Sequence, residues 1–254
     1  MLRKRVIPCL LLSGRGLVKT VRFADPRYVG DPINAVRIFN EKRVDEIVFL
    51  DITASRERRP PDFDHLRQIS SECFIPFCYG GGVRTVQHAR QLFSIGVEKV
   101  AINTAALDDY ALISSLASEC GTQSVVGAMD VLTRGSGYEV IRATGLEPAG
   151  IDPVCHAQRL EAAGAGEIFV NSVDRDGTMQ GYDVELLKLV TSAVTVPVIA
   201  CGGAGSLVHL KQAIDGAGVS AVAAGSLFVF KGKHRAVLIN YPAVGDLRAL
   251  WGQG

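Results

Sequence analysis

Short apolar runs alternate along the chain with longer stretches in which apolar and polar positions recur at a helical spacing. The runs are Arg5-Val-Ile-Pro-Cys-Leu-Leu-Leu, Glu46-Ile-Val-Phe-Leu-Asp, Ile75-Pro-Phe-Cys-Tyr, Lys99-Val-Ala-Ile-Asn, Ser124-Val-Val-Gly-Ala-Met-Asp, Glu167-Ile-Phe-Val-Asn-Ser, Val196-Pro-Val-Ile-Ala-Cys and Ser220-Ala-Val-Ala-Ala-Gly. Each is brief, continuous and rich in β-branched residues, as strands covered on both faces are. Stretches 32–42, 86–94, 108–119, 153–163, 183–193 and 207–215 carry the period of amphipathic helices. Eight strands alternating with helices predict a (β/α)8 TIM barrel, one domain over residues 1–254. A doubly wound open sheet is the alternative that the same alternation allows.

A repeat favours closure. Phe74-Ile-Pro-Phe-Cys-Tyr-Gly-Gly-Gly-Val-Arg-Thr, resuming at Gly96-Val-Glu-Lys-Val-Ala-Ile-Asn-Thr, matches Thr195-Val-Pro-Val-Ile-Ala-Cys-Gly-Gly-Ala-Gly-Ser, resuming at Gly218-Val-Ser-Ala-Val-Ala-Ala-Gly-Ser. Pro76 aligns with Pro197, Gly81-Gly82 with Gly202-Gly203, His88 with His209 and Gln91 with Gln212. Two equal four-unit halves bury their edge strands only by closing on each other. In a barrel the chemistry gathers where strands end. Those ends carry Leu11, Asp51, Gly80–Gly82, Asn103-Thr104, Asp130, Asn171–Gly177, Gly202-Gly203 and Gly225-Ser226.

The two glycine turns, with Asn103-Thr104 and Gly225-Ser226 on the following strands, have the makings of two phosphate sites. Glycine lets backbone N–H groups approach an oxyanion, and a helix start adds its positive end. The bland reading is that these glycines only turn tight corners. Asp51, Asp130 and Asp176 are carboxylates at strand ends, where they bind something or move a proton; Asp174–Gly177 can also be a solvated turn. The first βα connection, 12–30, is the longest and carries Lys19, with the prediction of a lid or a disordered excursion. At the other end, Arg5, Glu46, Lys99 and Glu167 each begin a strand. They are either ordinary exposed charges or a ring of ion pairs closing the barrel floor.

Composition narrows the function class. With 27 basic and 26 acidic residues the net charge is +1, which excludes a nucleic-acid footprint. Six cysteines show neither a paired nor a metal-ligand spacing, so reduced thiols are expected and neither metal nor cofactor is implied. Met1-Leu-Arg-Lys-Arg shows no signal-peptide pattern and no apolar run reaches the roughly 20 residues of a membrane span, so a cytosolic protein is expected.

Nearly the whole chain resembles HisF, the cyclase subunit of imidazole glycerol phosphate synthase. The matching stretches are Arg5-Val-Ile-Pro-Cys-Leu, Gly30-Asp-Pro, Phe49-Leu-Asp-Ile-Thr-Ala-Ser, Gly80-Gly-Gly-Val-Arg, Ile102-Asn-Thr-Ala-Ala, Asp174-Arg-Asp-Gly-Thr, Gly181-Tyr-Asp and Cys201-Gly-Gly-Ala-Gly-Ser. The resemblance implies ammonia received from a HisH-type glutaminase, in a heterodimer, and used to cleave and cyclise the bis-phosphorylated ribonucleotide PRFAR into imidazole glycerol phosphate and AICAR. It implies one phosphate at Gly82, Asn103 and Thr104 and the other at Asp176, Gly177, Gly203, Gly225 and Ser226. It also implies an ammonia gate of Arg5, Glu46, Lys99 and Glu167, and a mobile-loop role for Lys19.

One departure outweighs these matches. The family's acid–base pair ends strands 1 and 5; strand 5 keeps Asp130, but strand 1 has Leu11. The repeat says the same, since 5–12 laid on 124–131 pairs Leu11 with Asp130. Leucine cannot transfer a proton, and losing a general acid or base costs roughly 10²–10⁴ in rate. Asn171 and Cys201 also replace the family's Thr and Ser, and Leu12-Ser-Gly-Arg-Gly replaces its Asp-Gly-Arg pattern. This combination, with the tail 219–242, resembles the HisF paralogue of bacterial surface-polysaccharide loci. That resemblance implies ammonia supply to a separate N-acetyl sugar amidotransferase; a working cyclase of histidine biosynthesis and a HisA-type isomerase are the alternatives.

Overall fold

The computed structural model of the chain describes residues 4–142 and 146–252; the ends of the predicted 1–254 domain therefore lie outside the described residues. The eight apolar runs form parallel strands β1 (Arg5–Ser13), β2 (Ile47–Asp51), β3 (Phe77–Gly80), β4 (Lys99–Ile102), β5 (Val125–Arg134), β6 (Glu167–Ser172), β7 (Val198–Cys201) and β8 (Ala221–Ala224). Each pairs with the next, and β8 pairs with β1 through Arg5↔Ala221, so the sheet closes. The predicted (β/α)8 barrel is what forms, not the open sheet.

Closure separates two apolar cores. Alternate strand residues point inward, and Ile7, Cys9, Val48, Cys78, Val126, Phe169, Ile199 and Ala221 fill the lumen. Their neighbours point outward against the helices: Phe49 and Phe77 meet edge-on at 5.3 Å in that second, larger core. The enclosing helices are α1 (Pro32–Lys42), α2 (Phe63–Ser71), α3 (Val86–Ser94), α4 (Ala111–Cys120), α5 (Pro153–Ala162), α6 (Val184–Thr191) and α7 (Leu207–Ala217).

The duplication reaches down to helix caps. Asp31 and Asp152, each followed by proline, cap α1 and α5; Asp62 and Asp183 cap α2 and α6; Thr85 and Ser206 cap α3 and α7. The repeated histidines have a structural task. His88 Nδ1 accepts from Arg84 N–H at 3.4 Å and His209 Nδ1 from Gly205 N–H at 3.1 Å, tightening the same turn in both halves.

Three features depart from the sequence reading. Residues 12–30 are not a disordered excursion but an ordered hairpin: β1 runs on through Ser13 into antiparallel strands Gly16–Val21 and Ala24–Gly30, with Leu11 opposite Val18. The matching hairpin in the second half continues β5 into Gly137–Arg142. The stretch 108–119 is split, because Asp109 is extended between a short helix, Thr104–Asp108, and α4. Helix α2 escaped the periodicity reading; it starts directly after Pro60, Pro61 and Asp62, which read as a loop.

Candidate functional site

The C-terminal ends of the strands open into one pocket. Asp130 ends its inward run on β5 and is buried there. Asn103 Nδ2 donates to one carboxylate oxygen at 2.7 Å and Asn171 Nδ2 to the other at 2.9 Å. Burial pushes the Asp130 pKa up to about 6; the two amide donors oppose that rise, and the Asp176 charge adds to it. A carboxyl with this pKa is well suited to accept or give a proton near neutrality. The symmetry-equivalent position is Leu11, 8% exposed, lining the same mouth with an isobutyl group. No second carboxylate stands there.

The other two aspartates are engaged. Asp51 Oδ1 accepts from the backbone N–H groups of Thr53 and Ala54 and the Thr53 hydroxyl, at 3.0 to 3.1 Å, while its Oδ2 pairs with Arg59 at 2.9 Å. It lines the mouth yet is saturated by its own turn. Asp176 accepts the Thr20 hydroxyl at 3.0 Å and lies 3.6 Å from Lys19 Nζ. The Asp174–Gly177 segment is therefore a docking point and not a solvated turn: Asp174 caps Thr133 N–H at 2.8 Å, and Arg22 N–H donates to the Asp176 carbonyl at 3.0 Å.

This docking fixes Lys19. It is 6% exposed and reaches across Gly225, where a Cβ would stand 2.7 Å from its Nζ. Gly177 is needed for the same reason: at φ +71° its hypothetical Cβ would meet the Thr20 carbonyl at 2.2 Å. Gly82 and Gly203, at φ +70° and +104°, press against the Arg59 and Gly181 carbonyls. Thus the bland corner-turning reading of the glycines holds, and it coexists with backbone exposed toward the mouth. Helices Thr104–Asp108 and Ser226–Val229 begin at that mouth after nearly superposable residues, Asn103 (φ −115°, ψ −90°) and Gly225 (φ −105°, ψ −68°). The first N–H groups of such helices have no intrahelical acceptor.

At the N-terminal end, the four strand-start charges form a closed ring. Arg5 donates to Glu46 at 2.5 Å and, through its other terminal nitrogen, to Glu167. Lys99 Nζ lies 3.1 Å from both Glu46 oxygens and 2.8 Å from Glu167. Burial disfavours the charge on Arg5 and on Lys99, but the two carboxylates win and hold both pKa values above the ordinary ones. The ring sums to zero charge. Between it and the mouth the lumen is apolar. A hydrogen bond donated to Cys9, together with burial, pushes the Cys201 thiol up, and burial pushes Cys78 up. All six cysteines are free, and Cys155 is exposed.

Sequence reasoning missed Thr20 and Phe23, which reach the mouth from the hairpin, and Arg56 and Arg84 at its rim. The β-branched residues Val18, Thr20 and Val21 were the available signal for the hairpin, obscured because Arg22 and Phe23 form its turn with left-handed φ of 52° and 63°. Such a turn normally announces itself with Asn or Gly.

Comparison with known proteins agrees with the barrel fold. The profile of the family described as Histidine biosynthesis protein matches residues 5–235. A Pseudomonas aeruginosa protein provisionally named imidazole glycerol phosphate synthase subunit hisF2 is 57% identical over 97% of this chain and 99% of its own length. A Leptospira interrogans protein, provisionally named imidazole glycerol phosphate synthase subunit HisF, is 49% identical over 99% and 100%. The Chloroherpeton thalassium imidazole glycerol phosphate synthase subunit HisF is 42% identical over 91% and 92%.

Proposed function

The chain belongs to the histidine biosynthesis protein family, within its HisF group, and on that premise we propose that it is the HisF-like subunit of a glutamine amidotransferase system. A HisH-type glutaminase docks over the charged ring in a cytosolic heterodimer. Ammonia passes the gate of Arg5, Glu46, Lys99 and Glu167, crosses the lumen and leaves at the mouth. A separate N-acetyl sugar amidotransferase of surface-polysaccharide (lipopolysaccharide O-antigen) biosynthesis consumes it. An apolar lumen favours this cargo, because neutral ammonia loses little on leaving water whereas ammonium would lose its hydration.

The observation that carries the reading is Leu11 opposite Asp130 at the mouth, above an intact ring at the floor. The barrel keeps what conduction needs and lacks half of what cyclisation needs. The mouth still has the form of a bis-phosphate cradle, with one end at Gly82, Asn103 and Thr104 and the other at Gly177, Gly203, Gly225 and Ser226. Asp176 serves the second end by holding Lys19 above Gly225, and Asp51 by shaping the turn beside the first.

A second reading, an active cyclase of histidine biosynthesis, is favoured by one observation: Asp176 and Lys19 line the same mouth as Asp130 and could supply the missing proton carrier. PRFAR turnover with ammonium chloride replacing glutamine separates the two. The conduit reading expects a rate below that of an ordinary HisF by roughly 10²–10⁴, with Leu11→Asp raising it. Turnover at the ordinary rate overturns the conduit reading.

A further inference from the structure

Positive charge is concentrated on two hairpins flanking the mouth, the one after β1 and a second that pairs Phe230–Lys231 with Ala236–Val237. Segments 16–30 and 230–237 together hold six Lys and Arg residues and one acid, Asp25, although the whole chain carries only +1. Lys19 is the one turned inward, onto Asp176. Among the described residues, no carboxylate lies within ion-pair distance of Arg22, Arg27, Lys231, Lys233 or Arg235. The hairpins are joined into one surface. The guanidinium groups of Arg27 and Arg235 both lie over the Phe230 ring, each 5.9 Å from its centroid. Arg235 also donates at 2.8 Å to the carbonyl of Gly177, which lines the mouth. Tyr28, beside Arg27, is 64% exposed.

A ligand seated in the mouth does not explain these residues. Arg56 and Arg84 line that pocket, but Arg27, Tyr28, Lys231 and Lys233 lie outside it and face solvent. Unpaired cations beside an exposed tyrosine are suited to a protein surface of opposite charge, where arginine and tyrosine supply most of the contact energy and the charges accelerate encounter. A second copy of this chain would set like charge against like charge.

We infer that the Arg27–Tyr28 and Lys231–Arg235 surface docks the ammonia-consuming enzyme through an acidic patch around that enzyme's ammonia entrance. The mouth would then open directly onto its acceptor. This rests on the conduit reading. It adds a location and a charge sign: the glutaminase takes the ring end, and the acceptor enzyme takes the basic rim.

The test uses the full chain with a HisH-type glutaminase and a purified N-acetyl sugar amidotransferase from the same organism, comparing Arg27→Glu/Lys231→Glu/Lys233→Glu with the wild type and with Lys188→Glu on α6. The expected result is at least a tenfold weaker association of the triple variant, measured by sedimentation velocity. Wild-type association should also fall as sodium chloride rises from 0.05 to roughly 0.5 M. Glutamine-fed product should fall with it, while ammonium-fed product stays at the wild-type rate and Lys188→Glu behaves as wild type. Equal association and equal glutamine-fed transfer in the triple variant overturn the docking surface and leave the conduit standing. A wild type that transfers nothing to the amidotransferase from glutamine, yet turns over PRFAR, overturns both.

Discussion

At the scale of single residues, the decisive pair is Leu11 and Asp130. The Asp130 carboxyl has an ordinary value of 3.8 and is pushed up to about 6 by burial. Below about pH 4 it is protonated in both folded and unfolded chains. As pH climbs through 4 to 6 the unfolded chain releases the proton first, so folding loses stability, and above about pH 6 the whole cost is present. A shift of about two units corresponds to about 3 kcal/mol. Asp130→Asn carries no charge to bury. Its stability relative to wild type should therefore rise by about that amount between pH 4 and pH 7, measured by urea denaturation at each pH. A difference that stays flat with pH would show that Asp130 is not desolvated. The absence of a carboxylate at 11 was legible in the sequence, since strand position and repeat both point to it. The saturation of Asp51 was not, because its four donors come from residues up to eight positions later that only the folded turn brings together.

At the scale of elements, the hairpin after β1 is what the sequence concealed and what organises the mouth. A long connection reads as a lid because neither its twist nor its register is written in turn residues. Its order comes from tertiary contacts: the Thr20 hydroxyl and Lys19 on Asp176, and Arg22 on the Asp174 and Asp176 carbonyls. The barrel strands were legible for the opposite reason, since burial on both faces demands apolar residues whatever the partner. If the docking at Gly177 holds the hairpin, Gly177→Ala must move it, because the added methyl would stand 2.2 Å from the Thr20 carbonyl at a φ that disfavours alanine. Strain of this kind costs about 1–3 kcal/mol. We expect Gly177→Ala to accelerate trypsin cleavage after Arg22 at least tenfold while circular dichroism of the barrel is retained, and Thr20→Val to do so more weakly. An unchanged cleavage rate in Gly177→Ala would mean that the hairpin is held by its pairing to β1 alone.

At the scale of the whole molecule, the ring and the mouth are separated by the apolar lumen. Ala221 and Ala223 on β8 are fully buried there, small where Phe169 and Ile199 are large. Enlarging one of them should close the path without touching either end. Ala223→Leu adds three carbons to a filled interior and should cost about 1–3 kcal/mol, leaving the barrel folded. Lys99→Ala does the reverse: it removes one member of the ring, leaves Glu46 and Glu167 sharing Arg5, and opens the floor. Both variants separate conduction from chemistry when glutamine-fed and ammonium-fed transfer are compared, with ammonia escaping to bulk followed by a coupled dehydrogenase. Ala223→Leu should depress glutamine-fed transfer several-fold and raise escaped ammonia by the same amount, with the ammonium-fed rate unchanged. Lys99→Ala should alter the glutamine-fed rate alone. If Ala223→Leu transfers ammonia from glutamine as wild type does, the nitrogen reaches its acceptor by a route outside the barrel, and the charged ring is then a structural closure of the floor and nothing more.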